Sequence, residues 1–185
     1  MKFQILICSI EKRKDYLERL LKILHPQLTD GVSIQIACDN GQMSIGQKRN
    51  ELLQQSPADY VAFIDDDDRV SNNYVSYNLV GIENGFDCCS LKGEITENGG
   101  NPQVFEHSIK YGSYKTNPEG YLVRYERFPN HLNCIKSSIA KQFKFPEKNH
   151  GEDTDWATQI HKSGLIEIEH YIPEVIYFYD YISNK

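Results

Sequence analysis

Hydrophobic and polar positions alternate between two periods along the first third of the chain. Phe3 to Ile7 is an apolar run but for Gln4, the pattern of a strand buried on both faces. Leu17, Leu20, Leu21 and Leu24 then fall at i, i+3, i+4 and i+7. This predicts an amphipathic helix from about Lys14 to Leu24, ended by His25-Pro26. A second strand is predicted over Val32 to Cys38, closing on the turn Asp39-Asn40-Gly41. Ser44-Ile45-Gly46-Gln47 has the form of a capping box and opens a helix that runs to about Gln55, where Ser56-Pro57 stops it. A third apolar run, Tyr60 to Ile64, ends in four consecutive carboxylates, Asp65 to Asp68.

Strand–helix–strand–helix–strand with short loops predicts right-handed crossovers and a parallel sheet. In such sheets ligands bind beyond the carboxyl ends of the strands. Ser9 to Arg13, Asp39 and Asp65 to Asp68 all stand at such ends, so the pattern brings them to one crevice. The second half is less regular. It reads as a strand over Phe86 to Leu91, then loops or a hairpin around Val104 to Tyr111, and weak alternation over Tyr121 to Arg127. A short helix follows near Ser137 to Phe143, and another from about Asp153 to Lys162 that stops at Gly164. Strands over Leu165 to Tyr171 and Val175 to Tyr181 close the chain.

Composition narrows the class. The chain has 185 residues, 39% of them hydrophobic and 25% charged, which suits one globular α/β domain with a full core. No apolar stretch is long enough to span a bilayer, and MKFQILICSIEKRK reads as a first strand rather than a signal peptide. Five cysteines without zinc-like spacing, most in strand-like surroundings, fit a reduced, cytoplasmic compartment. A net charge of −6 argues against bulk electrostatic binding of nucleic acid. It leaves room for a local basic strip, and Lys136, Lys141, Lys144 and Lys148, interleaved with Phe143 and Phe145, are the candidate.

Two constellations carry chemistry. Asp65 to Asp68 contains D-x-D in two registers, either a solvated acidic loop or a seat for Mg²⁺ or Mn²⁺ with phosphate oxygens completing the shell. A calcium EF-hand loop starting at Asp65 is excluded, because Val70 and Ser76 stand where Gly and Glu are required. His150-Gly151-Glu152-Asp153-Thr154-Asp155-Trp156 places carboxylates in the first turn of a helix. That is ordinary dipole complementation, or a carboxylate fixed as a general base. Trp156 reads as core, and His25 and His161 as surface residues.

In this order, SIEKRKDYLERLLKIL, IACDNG, SIGQKRNELLQQSPADYVAFIDDDD and HGEDTDW resemble the family 2 glycosyltransferases, over about the first 80 residues and again from roughly 130 to the end. The resemblance implies a single GT-A domain with a central, mostly parallel sheet flanked by helices. Its residues 1–85 would form the nucleotide-sugar half and 86–185 the acceptor half. It implies a nucleotide-sugar donor, most readily a UDP-sugar, lined by Ser9 and Arg13 from the first loop, by Asp39 and by Arg49 and Asn50 from the G-x-x-R-N segment. Asp65 would lie nearer the ribose with Asp66 beside it. Mn²⁺ or Mg²⁺ would sit on Asp67, with Asp68 and, near the C-terminus, Asp180 (or His170) as further ligands. Asp153 of the Glu152-Asp153 pair would be the base, and His131 would lie beside the acceptor and donor sugar. Compact enzymes of this kind resemble bacteriophage proteins, some of which glycosylate hydroxymethylated pyrimidines in DNA; a surface glycan is the other acceptor implied. Two readings from other classes stay open: a phosphatase of the haloacid-dehalogenase type with Asp65 as nucleophile, and a non-catalytic nucleotide- or sugar-binding module.

Overall fold

A computed structural model describes residues 1–182. The first unit follows the hydrophobic pattern closely. Strand β1 (Phe3–Ile10) leads through a 3-10 turn into α1 (Lys14–Leu24), then β2 (Val32–Asp39), α2 (Ile45–Gln55) and β3 (Tyr60–Phe63). The capping box is present: the Gln47 backbone N–H donates to Ser44 Oγ, and the Gln47 side chain accepts from the Ser44 N–H. β1 runs parallel to both neighbours, with Phe3 opposite Val32 on one side and Tyr60 on the other.

The remaining elements are β4 (Arg69–Val70), α3 (Tyr74–Glu83), β5 (Cys88–Cys89), β6 (Leu91–Glu97), β7 (Gln103–His107), β8 (Lys115–Thr116), β9 (Tyr125–Arg127), β10 (Ile135–Lys136), α4 (Ser137–Ala140), α5 (Glu152–Ser163), β11 (Glu169–His170) and β12 (Tyr177–Tyr181). The central sheet has the order β2-β1-β3-β10-β5-β11, and β10 alone runs against the others. This is the mostly parallel sheet expected. A second six-stranded sheet, β4-β12-β6-β7-β9-β8, was not expected.

Three expectations change. The strand over Phe86 to Leu91 divides at Ser90: β5 belongs to the central sheet and β6 to the second, so the chain changes sheets within one apolar run. The strand over Leu165 to Tyr171 shrinks to Glu169–His170. Helix α3 went unpredicted. Its buried positions, Tyr74, Val75, Asn78, Gly81 and Ile82, have helical spacing, but Asn and Gly interrupt the apolar signal. Gly81 is there for closeness, since a Cβ on it would lie 2.5 Å from Cys89 Sγ and 2.8 Å from His170 Cβ.

The central sheet is buried on both faces, as the largely apolar β1 requires. Phe3, Ile5 and Ile7 pack with Leu20 and Leu24 of α1 and Tyr74 of α3, whereas Leu6 points to the other side with Leu52, Leu53, Phe145 and Trp156. Trp156 is core, stacked on Phe145 at 4.6 Å between centroids.

Gly46 in the first turn of α2 anchors the loop before α5. Its N–H donates to the Lys148 carbonyl at 3.1 Å, and an added Cβ would fall 1.9 Å from the Pro146 carbonyl oxygen. Gly46→Ala therefore displaces backbone, and overpacking of this kind costs about 1–3 kcal/mol. Urea unfolding of the variant is expected to show that loss, and a midpoint equal to wild type would mean the loop yields freely.

Candidate active site

Beyond the carboxyl ends of β1 and β3 the chain forms a cleft of about 420 Å³. Ser9 and Arg13 come from the end of β1 and the turn after it. Lys48 and Arg49 come from α2, Asp65 to Asp67 follow β3, and Asn149 to Asp153 enter α5. Gly151, at φ +73°, takes the left-handed conformation at the start of α5 that glycine tolerates best.

The four aspartates are not equivalent. Asp65 receives Arg49 Nη2 at 2.8 Å and lies 3.7 Å from His131 Nε2. Burial works to raise its pKa, but Arg49 and His131 outweigh that and hold its carboxyl well below the usual carboxylate range. Asp66 is buried and takes Ser9 Oγ at 2.6 Å and Arg13 Nη2 at 2.6 Å. Burial still raises its pKa against those partners. Asp67 shares the same Arg13 nitrogen at 2.7 Å, while Arg19 donates to its backbone carbonyl. Asp68 turns away beneath the second sheet, where Tyr177 donates to Oδ2 at 2.6 Å and Oδ1 is buried with no hydrogen-bond partner. Burial, with the charge of Asp65 next, pushes its pKa well above the ordinary value.

Arg49 is the hub. Buried and flanked by the rings of Phe63 and Phe145, it reaches Asp65 with one nitrogen and Glu152 Oε1 with the other at 2.7 Å. It thus ties the end of β3 to the start of α5. Glu152 is 3% exposed and committed to Arg49, which makes it a positioning group rather than a base. Asp153, the next residue, stays accessible on the cleft wall.

Some expected donor contacts are placed elsewhere. Asp39 sits at the rim, its oxygens taken by the N–H groups of Gly41 and Met43 and by Lys48; the Lys48 hydrogen bond leads the effects that bring its pKa down to about 2. Lys48, which the sequence reading missed, lines the cleft and also donates to the Ser9 carbonyl at 2.7 Å. Its signal was two adjacent cations in register with Leu52 and Leu53 on the buried face of α2. Asn50 does not line the cleft. It clamps the Phe145 backbone through both its amide groups, at 2.8 and 2.9 Å. Asp180 is likewise corrected. Strand alternation turns it to the opposite face of β12 from Tyr179, where it pairs with Arg69 at 3.1 Å and accepts from Thr96 at 3.0 Å. His170 packs beside Phe86, far along the central sheet. The lysine strip does not assemble either: Lys136 pairs with Asp87, Lys141 donates to the Ser56 carbonyl and Lys148 pairs with Asp155.

His131 stands at a seam. It is buried, 3.7 Å from both Asp65 and Asp153, and neither ring nitrogen makes a hydrogen bond. On its far side lies a second cleft of about 400 Å³, whose floor is one face of the second sheet. The two clefts share Asp65, His131, Asp153 and Tyr179. His107 borders the second cleft, and burial pushes its pKa down to about 3. An unfolded histidine protonates near 6.5, so its burial as the neutral form favours folding less as pH falls from 6.5 towards 3. One such proton gives a slope of up to about 1.4 kcal/mol per pH unit. Urea unfolding at pH 7 and pH 4.5 is expected to show a smaller acid loss in His107→Gln than in wild type.

No protein-family model matches the chain, and no curated protein sequence matches it. Among solved structures it is similar to TarS of S. aureus. The fragment 1–349 in complex with UDP-GlcNAc superposes with a TM-score of 0.66 at 15% identity, covering 100% of this chain and 60% of that one. The same fragment with UDP gives 0.64, and TarS itself gives 0.67 over 97% of this chain and 37% of its own length. The chain thus spans about 60% of the length of the fragment it matches. At 15% identity the likeness speaks for architecture alone, and the architecture is the single α/β, GT-A-type fold expected.

Proposed function

We propose that this chain is an inverting glycosyltransferase that takes a nucleotide-sugar, a UDP-sugar, in the first cleft and passes the sugar to an acceptor hydroxyl presented from the second. The observation that carries this reading is Asp153, which lines both clefts and leaves its carboxylate accessible where they meet. TarS, crystallised with UDP and with UDP-GlcNAc, supports the choice of donor. In the reaction Asp153 takes the hydroxyl proton. The acceptor oxygen forms a bond to the anomeric carbon while the carbon–oxygen bond to the diphosphate breaks and the diphosphate leaves with the electron pair. A single in-line displacement inverts that carbon. Arg13, Lys48 and Arg49 are the lysine and arginine side chains that line this cleft and could face the departing charge.

Mn²⁺ or Mg²⁺ suits the residues present. The donor set on the first cleft is carboxylate oxygen, from Asp65, Asp66 and Asp67, which hard cations prefer. Among the described residues no three His, Cys, Asp or Glu side chains gather as a cage, so an ion held here would take one or two carboxylates and complete its shell with phosphate. Asp67 would hold the ion with Asp65 beside it, and the bound ion would offset charge on the leaving diphosphate; Asp68, expected as a further ligand, instead lies outside this cleft and accepts from Tyr177. The acceptor is a surface glycan or a hydroxymethylated pyrimidine in DNA, and the setting is the cytoplasm of a bacterial or phage-infected cell. No helix among the described residues is long and apolar enough to cross a membrane.

A thermal-shift screen of UDP, GDP, CMP and their sugar conjugates, with and without Mn²⁺, tests the reading. UDP compounds are expected to stabilise the fold, by about 2.7 kcal/mol at one hundred times the dissociation constant, and to do so only with metal. No shift with any nucleotide, together with phosphate release from simple esters, would favour the phosphatase instead.

A further inference from the structure

The second cleft has a chemistry of its own. Strand alternation sends Tyr177, Tyr179 and Tyr181 of β12 to one face of the second sheet. Tyr177 is buried under Asp68, Tyr179 is half-buried where the two clefts join, and Tyr181 is 43% exposed at the outer end. β9 adds Tyr125 and Arg127, which are also two residues apart. The floor is therefore a run of tyrosine rings leading outwards from Asp153, with hydroxyls at their edges. Aromatic faces of this kind take the apolar face of a ring, while neighbouring polar groups fix its orientation.

Charge decides what sort of ring. Among the described residues Arg127 is the one guanidinium on the cleft wall, and it is already placed over Tyr125 and Tyr114 and donates to the carbonyls of Lys115 and Glu126. Against it stand Asp65, Asp68, Asp153 and Glu97. With Asp65 paired to Arg49 and Asp68 held by the Tyr177 hydroxyl, Asp153 and Glu97 still outnumber it among the described residues. A phosphodiester chain laid here would meet carboxylates, and Lys136, Lys141 and Lys148, which might have guided it, are spent on other partners.

From this we infer that the second cleft binds an uncharged sugar ring, so that the acceptor is the free hydroxyl of a neutral glycan rather than of a nucleic acid or another phosphodiester polymer. The inference rests on the glycosyltransferase reading, and the test separates the two. UDP stabilisation is read first on each sample; if UDP fails to bind, the donor reading falls and this one falls with it. With UDP saturating, saturation-transfer NMR is recorded with uncharged methyl pyranosides and disaccharides. In parallel it is recorded with a hydroxymethylcytosine oligonucleotide and with poly(glycerol phosphate), all at 150 mM salt, on the order of physiological ionic strength. Contact signals are expected from neutral sugars, falling at least about fivefold in Tyr181→Ala and Tyr125→Ala while the UDP shift is unchanged. Silence from every neutral sugar, signals indifferent to both tyrosine variants, or binding of either polyanion that these variants weaken would overturn the assignment.

Discussion

Asp153→Asn is expected to lower turnover by about 10²–10⁴-fold, the usual worth of a general base, while leaving UDP binding intact. Asparagine matches aspartate in shape and cannot take the acceptor proton. Asp153 lies in the first turn of α5, where free backbone N–H groups attract negative charge, and its carboxylate is 3.7 Å from His131 Nδ1. The neighbouring carboxylates cannot stand in for it. Glu152 is buried against Arg49, and Asp155 is paired with Lys148 on the exposed side of the helix. The measurement is UDP release with and without acceptor, alongside the UDP thermal shift in the same protein. Loss of turnover with an unchanged shift assigns the base. Full turnover would remove Asp153 from the chemistry, and a lost shift would make its role one of binding.

Much of this site was legible because it lies where local signals are strong. The capping box, the apolar run into Asp65 and the Gly151-Glu152 junction are short-range patterns, and each stands at an element boundary that the structure keeps to within a residue or so. What could not be read depends on contacts between distant segments. β4, β8, β10 and β11 are two residues long, too short for any periodicity to declare itself. The second sheet sets β4, β8 and the three-residue β9 around β6, β7 and β12, so neither the sheet nor the cleft on it was foreseen. Asp180 shows a signal that was present and unused: in a strand over Val175 to Tyr181, Asp180 and Tyr179 must face opposite ways. Asn50 shows the reverse. Its place one residue after Arg49 suggests a shared task, but helical geometry turns it to the Phe145 backbone instead.

Arg49→Met is expected to destabilise the protein by about 3–5 kcal/mol, the cost of leaving one member of a buried ion pair without its partner. Glu152 is 3% exposed and Arg49 supplies its ion pair, so removing the guanidinium strands a carboxylate that water cannot reach. The loss falls on the active site as well, because the same guanidinium holds Asp65 at the mouth of β3. Arg49→Lys is expected to recover little. A single ammonium cannot span Asp65 and Glu152 as the planar fork does, and it loses the contact with the faces of Phe63 and Phe145. The double variant Arg49→Met, Glu152→Gln separates the two effects. With the stranded charge removed, its urea midpoint should lie above that of Arg49→Met alone, whereas UDP affinity should stay low because Asp65 remains unanchored. A double variant no more stable than the single one would place the cost in lost packing around Phe63 and Phe145 rather than in the bridge between β3 and α5.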